Sequence, residues 1–99
     1  MDQIEAINIV RKYKDLLKDN FDFDKIYLYG SYAKNSNRKH SDIDVAIISS
    51  NITDDFFATN PLLWRLRRQV DDRIEPLLID RNNDPAGFLE EIERSGIEI

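Results

Sequence analysis

The sequence predicts an α/β or α+β domain built around one small β-sheet flanked by helices. Two observations lead to this fold class. Short apolar runs of strand length alternate along the chain with segments whose apolar residues recur every three or four positions. The 99 residues contain no internal repeat, linker or low-complexity segment, so we expect residues 1–99 to form a single domain.

The first helix is predicted over residues 3–19. Asp2 and Glu5 have the spacing of a capping box, and a polar stretch ends the apolar periodicity. The expected buried stripe comprises Ile4, Ile7, Val10, Tyr13 and Leu17. A first strand follows over residues 25–29, because this run is short, rich in β-branched and aromatic residues, and stopped by Gly30.

The middle of the chain is predicted to contain a turn, a loop and a central strand. Residues 31–34 have the composition of a short helix, and the polar residues 35–40 that of a loop. Residues 43–48 are apolar except for Asp44, which indicates a strand covered on both faces. A looser segment is expected to begin at Thr53 or Asp54.

The last third is predicted to fold as helix, strand and helix. Pro61, a favoured first helical residue, begins the first of these elements. Its apolar face comprises Leu62, Leu63, Leu66 and Val70. Residues 74–79 form a strand that Pro76 places at an edge or a bulge, because proline donates no backbone hydrogen bond. The last helix begins at residues 84–85 and ends at Gly96, where we expect a left-handed cap.

Composition restricts the classes of function. Nineteen acidic and fourteen basic residues give a net charge of −5, which argues against binding a nucleic acid backbone through broad attraction. The absence of cysteine excludes disulfides and thiolate metal sites and favours an intracellular setting. The charged N-terminus has neither the apolar run of a signal peptide nor the ~20 apolar residues of a membrane span. We therefore expect a soluble, cytoplasmic domain.

A pair of carboxylates carries the predicted chemistry. Asp42 and Asp44 stand two residues apart at the start of the second strand, so their side chains project to one face with Cα atoms about 7 Å apart. Two carboxylates directed at one point need a cation. With a single histidine, His40, and no cysteine, the donors are oxygens, which favours Mg²⁺ or Mn²⁺. We assign no role to His40, which is expected in an exposed loop.

A glycine-serine turn at the end of the first strand supplies the second half of the predicted site. Gly30 lets a phosphate approach the backbone, and Ser31 adds its hydroxyl where a helix N-terminus offers free N–H groups. Ser41, directly before the acid pair, is the third candidate for binding the nucleotide. These residues describe a site that holds a triphosphate between the turn and two metal ions, with pyrophosphate as the leaving group.

A third carboxylate would complete the second metal site or accept the proton of the attacking hydroxyl. Glu75 is the predicted residue, because it is the lone carboxylate inside an otherwise apolar strand, where an unpaired charge is costly. An edge-strand charge that deters aggregation is the other interpretation of Glu75. Asp71, Asp72 and Asp80 remain alternative third acids.

The combination of Gly30-Ser31, Ser41-Asp42-Ile43-Asp44 and Ile74-Glu75-Pro76 resembles the minimal nucleotidyltransferase family of the DNA polymerase beta superfamily. The resemblance covers almost the whole chain. It implies a polymerase-beta-like palm with a mixed β-sheet of three or four strands, and transfer of AMP from ATP with Mg²⁺. On the family's pattern Asp42 and Asp44 bind the metal ions and Glu75 is the third acid.

The resemblance also implies a partner. Small bacterial and archaeal members are often the antitoxin half of a pair whose toxin is an all-helical ribonuclease of the HEPN class, silenced by adenylylation of a tyrosine. One domain of this size lacks the helical domain with which larger relatives hold the acceptor. The acceptor pocket is therefore expected to come from a partner protein or from a second copy of the chain.

One departure from the family motivates a different function. Asn35 stands where the family usually has a second glycine, although asparagine tolerates positive φ better than most residues. The alternative is a catalytically weak binding module that neutralises a partner by forming a complex. A further alternative keeps the transfer reaction but directs it to a small molecule such as an antibiotic.

The predicted helix after Pro61 carries residues with two interpretations. Arg65, Arg67 and Arg68 either steady a triphosphate or meet an acidic partner, but a charge run beside an apolar stripe is more often a solvated helix face. Trp64 lies off the main apolar stripe and is a candidate for contact with a partner.

Overall fold

The computed structural model describes residues 1–50 and 56–99. Along the chain the elements are α1 (Gln3–Lys18), β1 (Lys25–Tyr29), β2 (Ile43–Ser49), α2 (Phe56–Arg67), β3 (Ile74–Asp80), α3 (Phe88–Ser95) and β4 (Ile97–Glu98). The strands form one mixed sheet in the order β3-β2-β1-β4, in which β2 and β3 run parallel and the other two pairs antiparallel. The predicted fold class, a small mixed sheet flanked by helices, is confirmed.

The first helix starts at the predicted cap. The Asp2 carboxylate accepts a hydrogen bond of 2.8 Å from the Glu5 amide, which satisfies one of the free donors at the helix N-terminus. Ile4 was expected in the buried stripe, but 68% of it is exposed. The stripe that packs on the sheet is Ala6, Val10, Tyr13 and Leu17. The spacing of these four residues defines a face that excludes Ile4.

The sheet separates two apolar clusters. One face packs against α1 and α2 and includes Ile43, Val45 and Ile47 of β2. The opposite face packs against α3 through Ile92 and includes Ala46 and Ile48. The central strand is therefore covered on both faces, as its near-continuous apolar sequence predicts. The strand containing Pro76 lies at an edge of the sheet, which is also as predicted.

The second helix begins earlier than the sequence predicts. Pro61 was expected to open it, but the helix starts at Phe56 and continues through the proline to Arg67. The helix loses the hydrogen bond that an amide at position 61 would donate. Its next two turns place Leu63 and Leu66 in the core, and this packing compensates for the missing bond. The looser segment predicted from Thr53 or Asp54 lies outside the described residues.

The last helix and its end also differ from the prediction. The helix begins at Phe88 instead of residue 84, and the Asp84 carboxylate caps it by accepting a hydrogen bond of 2.6 Å from the Leu89 amide. The expected left-handed cap at Gly96 is wrong, since this residue is extended, with φ −84° and ψ 170°. The chain passes directly from the helix into β4, and only an extended residue makes that connection.

Among the residues that the structure describes, no helix is both long enough and apolar enough to cross a membrane.

Candidate active site

The centre of the candidate site is Asp44, which lies in β2 between two other strands. Its Cα is paired with that of Tyr29 on β1 and with that of Glu75 on β3. Residues paired across neighbouring strands project to the same face of a sheet. The three side chains therefore share the face that packs against α3, and Asp42, two residues before Asp44, precedes the same strand.

The turn after β1 brings the backbone against the Asp44 carboxylate. Gly30 has a φ of +73°, a conformation that L side chains rarely adopt. A β-carbon at this position would overlap the Asp44 Oδ2 atom and lie 3.2 Å from Cγ. The sequence places the turn and the acid pair in separate motifs, and the antiparallel pairing of β1 with β2 brings them into contact.

The residues after Gly30 form one helical turn in place of the predicted short helix. The Lys34 amide donates to the Gly30 carbonyl at 3.1 Å, and the Ser36 amide donates to the Ser31 carbonyl at 2.9 Å. The second of these bonds, together with a left-handed residue at the end of the turn, is the Schellman arrangement that ends helices. That residue is Asn35, with a φ of 55°, so asparagine adopts the conformation for which a glycine would be the usual choice.

The N-terminus of α1 holds this turn in place. Gln3 Nε2 donates to the carbonyl oxygens of Tyr32 and Ala33, at 2.9 and 3.2 Å. Asn37 Nδ2 donates to the Met1 carbonyl at 3.1 Å. The side-chain amides of Gln3 and Asn37 therefore tie the turn, and the loop that follows it, to the start of the chain.

Asp44 and Glu75 both have raised pKa values. Burial raises the pKa of Asp44, and the charge of Asp42 raises it further. The pKa of Glu75 is raised first by burial, then by the charge of Asp42 and a hydrogen bond with it, and then by Asp44. Arg67 acts in the opposite direction on Glu75. A group of carboxylates that repel one another in this way is an environment that favours a bound cation.

The donor set matches a hard divalent cation that is completed by other ligands. Asp42, Asp44 and Glu75 offer carboxylate oxygens, which suit Mg²⁺ and Mn²⁺. Within residues 1–50 and 56–99, no group of three or more histidine, cysteine, aspartate or glutamate side chains is arranged so that it could hold a metal ion. In nucleotide sites, Mg²⁺ is commonly held by one or two carboxylates together with phosphate oxygens and water.

The two serines predicted to bind the nucleotide have different surroundings. Ser31 is half-buried directly after Gly30, at the start of the turn. Ser41 precedes the acid pair, and its hydroxyl oxygen accepts a hydrogen bond of 2.7 Å from the Arg38 amide. The Ser41 hydroxyl therefore has a local role in the loop, and its proton remains available to an acceptor.

None of the alternative third acids is paired with Asp44 in the sheet. Asp71 is half-buried and ion-paired with Arg73 at 2.7 Å, and this partner lowers its pKa. Asp72 is exposed, and Asp80 is paired with Ser49 at the far end of β2. Among these candidates, Glu75 is the residue in register with Asp44.

Sequence reasoning missed Tyr29. Burial raises its pKa to about 12, and the charges of Asp44 and Glu75 contribute to the rise. Its ring contacts Phe88 edge to face, with centroids 5.8 Å apart. The signal for Tyr29 was its position directly before Gly30, at the end of a strand whose partner carries the acids.

The arginines at the end of α2 and directly after it divide into two kinds. Arg67 is half-buried, donates to the carbonyl oxygens of Asp72 and Ile74, and lies 4.7 Å from the centre of the Trp64 ring. Arg65 and Arg68 are exposed. The solvated-face interpretation therefore fits Arg65 and Arg68, while Arg67 joins the end of α2 to the start of β3.

The chain resembles known proteins over most of its length. Residues 11–99 match the family described as "Polymerase beta, Nucleotidyltransferase". Two relatives from Methanocaldococcus jannaschii carry the name "Putative protein adenylyltransferase". The first, MJ0128, is 40% identical over 43 residues, which are 43% of this chain and 44% of the relative, so the match spans less than half of that protein. The second, MJ0141, is 26% identical over 97% of this chain and 100% of its own length.

A solved structure has the same fold. It is described as the crystal structure of a toxin-antitoxin with AMP-PNP, and it superposes with a TM-score of 0.66 at 26% identity. The superposition covers 92% of this chain and 69% of that chain.

Proposed function

Because this chain belongs to the polymerase beta nucleotidyltransferase family, we propose that it transfers AMP from ATP to a hydroxyl group of another molecule. The reaction breaks the bond between the α- and β-phosphates of ATP. The acceptor oxygen forms a new bond to the α-phosphorus, pyrophosphate leaves, and the acceptor's proton passes to a base.

One observation carries the proposal: the contact between the Asp44 carboxylate and the backbone of Gly30. It puts the acid beside the turn that begins with Gly30, so that a cation bound by Asp44 and the backbone N–H groups of the turn could share one phosphate. The charge of Asp42 contributes to the raised pKa of both Asp44 and Glu75, so the three carboxylates interact electrostatically.

Roles follow from the positions of the acids. Asp42 and Asp44 would hold the divalent cation, and Glu75 would complete the second cation position or accept the acceptor's proton. When bound, the cation neutralises phosphate charge and lowers the pKa of the attacking hydroxyl. Gly30, Ser31 and Ser41 would bind the phosphates, through the free backbone and the two hydroxyls.

The proposed acceptor is a tyrosine of a partner toxin of the all-helical HEPN class. A neighbour with this fold is part of a toxin-antitoxin and was crystallised with AMP-PNP, an ATP analogue, and two relatives are named for protein adenylylation. A stable complex with such a partner would bury about 1,200 to 2,000 Å².

Transfer of radiolabelled AMP tests the proposal. The protein, labelled ATP, Mg²⁺ or Mn²⁺ and the product of the neighbouring gene are incubated together, and label on that product is expected. Asp42→Asn and Asp44→Asn should abolish the label, and Glu75→Gln should reduce it strongly. Asp22→Asn, which changes an exposed carboxylate in the loop before β1, is the control and should leave transfer unchanged. Absence of label on any acceptor with either metal ion would refute the proposal.

The positive φ of Asn35 weakens the case for a binding module without catalysis. That alternative was motivated by the missing second glycine, and the turn keeps the left-handed residue that a glycine would supply. Neutralisation of the partner by the Asp42→Asn, Asp44→Asn double variant, at the level of the unmodified protein, would still favour the module.

A further inference from the structure

Two aromatic rings border the acids on the α3 face of the sheet. Tyr29 lies opposite Asp44 in the pairing of β1 with β2, and its ring meets that of Phe88, the first residue of α3. Tyr29 is half-buried, whereas Phe88 exposes 38% of its surface. An aromatic surface next to the candidate metal ligands is therefore open to a ligand.

Phe88 is the most exposed of the large apolar side chains described on this face. The others are buried (Tyr27, Ile48, Ile79 and Ile92) or half-buried (Tyr29, Leu77 and Leu89) in one cluster. Among the side chains of residues 1–50 and 59–99, two further large apolar ones are exposed, Ile4 and Trp64, and these belong to α1 and α2, the helices on the opposite face. The open apolar surface of the α3 face thus coincides with the end of the sheet that carries the acids.

We propose that the Tyr29–Phe88 pair binds the purine ring of the nucleotide. This inference rests on the proposed function, which places the phosphates at Gly30 and the acids. A nucleotide held there still needs a flat apolar surface for its base, and aromatic side chains provide such surfaces by stacking. Phe88 contacts the base, and Tyr29 positions Phe88 through the edge-to-face contact of their rings.

Binding measurements with two probes test this assignment. AMP-PNP carries both base and phosphates, and tripolyphosphate carries phosphates alone, so calorimetric titration of each with Mg²⁺ separates the two halves of the site. Phe88→Ala should weaken AMP-PNP binding about tenfold and leave tripolyphosphate binding unchanged. Phe88→Trp should retain the affinity for AMP-PNP, because it keeps a planar ring.

The chain offers a matched control. Trp64 also exposes 38% of its surface, but it belongs to α2, on the opposite side of the sheet. Trp64→Ala should leave the binding of both probes unchanged. If Phe88→Ala unfolds, Phe88→Leu replaces it in the same comparison, because leucine keeps apolar volume without a planar ring.

Four results would overturn the inference, the last of them together with the proposed function. Unchanged AMP-PNP affinity in Phe88→Ala would refute it while leaving the proposed function intact. Equal weakening of AMP-PNP and tripolyphosphate would assign Phe88 a structural role instead. A raised KM for the acceptor with unchanged AMP-PNP affinity would show that the pair faces the acceptor. If the unmodified protein bound neither probe, the proposed function would fail together with this inference.

Discussion

The Asp44 carboxylate occupies the space that a β-carbon on Gly30 would need. Its Oδ2 atom would overlap with that carbon, and its Cγ would lie 3.2 Å from it. Asp44 is attached to β2 and Gly30 follows β1, so the antiparallel pairing of the two strands fixes the contact. Because the obstructing atoms belong to the end of a flexible side chain, a substitution at Gly30 displaces the acid while the backbone remains in place.

Gly30→Ala is therefore expected to abolish transfer with a modest loss of stability. Its backbone conformation costs about 1 kcal/mol for alanine, and rotation of Asp44 removes one of the proposed metal ligands. Gly87→Ala is the control, because Gly87 has a similar φ of +67° and no atom within 4 Å of the added carbon. Chemical denaturation should give similar destabilisation for both variants, and the transfer assay should separate them by about a hundredfold or more. Full activity of Gly30→Ala would contradict the placement of Asp44.

Asp44→Asn is expected to stabilise the metal-free protein near neutral pH. The pKa of Asp44 is raised in the folded state, so folding favours its protonated form. The resulting penalty is absent below the ordinary pKa of the carboxyl, develops as the pH rises through the raised pKa, and persists above it. Denaturation in EDTA should show that the variant gains stability over the unmodified protein between about pH 4 and pH 7.

The control for that experiment is Asp72→Asn, which changes an exposed carboxylate. Its stability relative to the unmodified protein should not follow the same pH dependence. Parallel pH profiles for Asp44→Asn and the unmodified protein would show that burial and the charge of Asp42 do not act on Asp44 as described.

Local pattern was enough to predict β1, β2 and β3 and to select the candidate acids, but not to identify the residues beside them. The apolar run around Asp44 identifies β2, and the spacing of Asp42 and Asp44 identifies a shared face without any tertiary information. The partnership of Asp44 with Tyr29 depends on strand register, which is a long-range property. Glu75 was found because a charge in an apolar strand is unusual, although its alignment with Asp44 required the parallel pairing.

The wrong predictions share a cause, which is that tertiary packing overrides local preference. Pro61 is a favourable first helical residue, but burial of Leu63 and Leu66 supports a helix that begins earlier. Gly96 follows a helix, as a left-handed cap would, but the space around it and the short strand β4 require an extended glycine. A two-residue strand has too little sequence to be recognised by its periodicity.

Asn35→Gly is expected to change stability by less than about 0.5 kcal/mol and to leave transfer unchanged. Glycine relieves the residual strain of the left-handed conformation but gives the unfolded chain more freedom, and the two effects oppose each other. Asn35→Ala should cost about 1 kcal/mol, because alanine meets the same backbone strain without the local hydrogen bonding that favours asparagine. Denaturation curves and the transfer assay check both variants. A large activity gain in Asn35→Gly would show that asparagine impairs the site.

Gly96→Ala is expected to destabilise the fold by about 1 to 3 kcal/mol for a reason unrelated to φ. The φ of −84° suits any residue, but an added carbon would lie 2.6 Å from the Ile92 carbonyl oxygen and 3.2 Å from that of Leu28. Both obstructing atoms belong to the backbone, so relief requires α3 and β1 to move apart. Amide exchange should accelerate at Ile99, whose N–H donates to the Ile26 carbonyl at 3.0 Å.

Ser95→Ala provides the comparison for that variant, since it removes a hydrogen bond of 2.9 Å to the Glu91 carbonyl without adding volume. Its cost should stay near 1 kcal/mol or below, with exchange at Ile99 unaffected. If Gly96→Ala proved as mild as Ser95→Ala, the approach of α3 to β1 would be looser than these distances imply. Because α3 carries Phe88, displacement of this helix should also weaken AMP-PNP binding in Gly96→Ala, while tripolyphosphate binding should remain at the level of the unmodified protein.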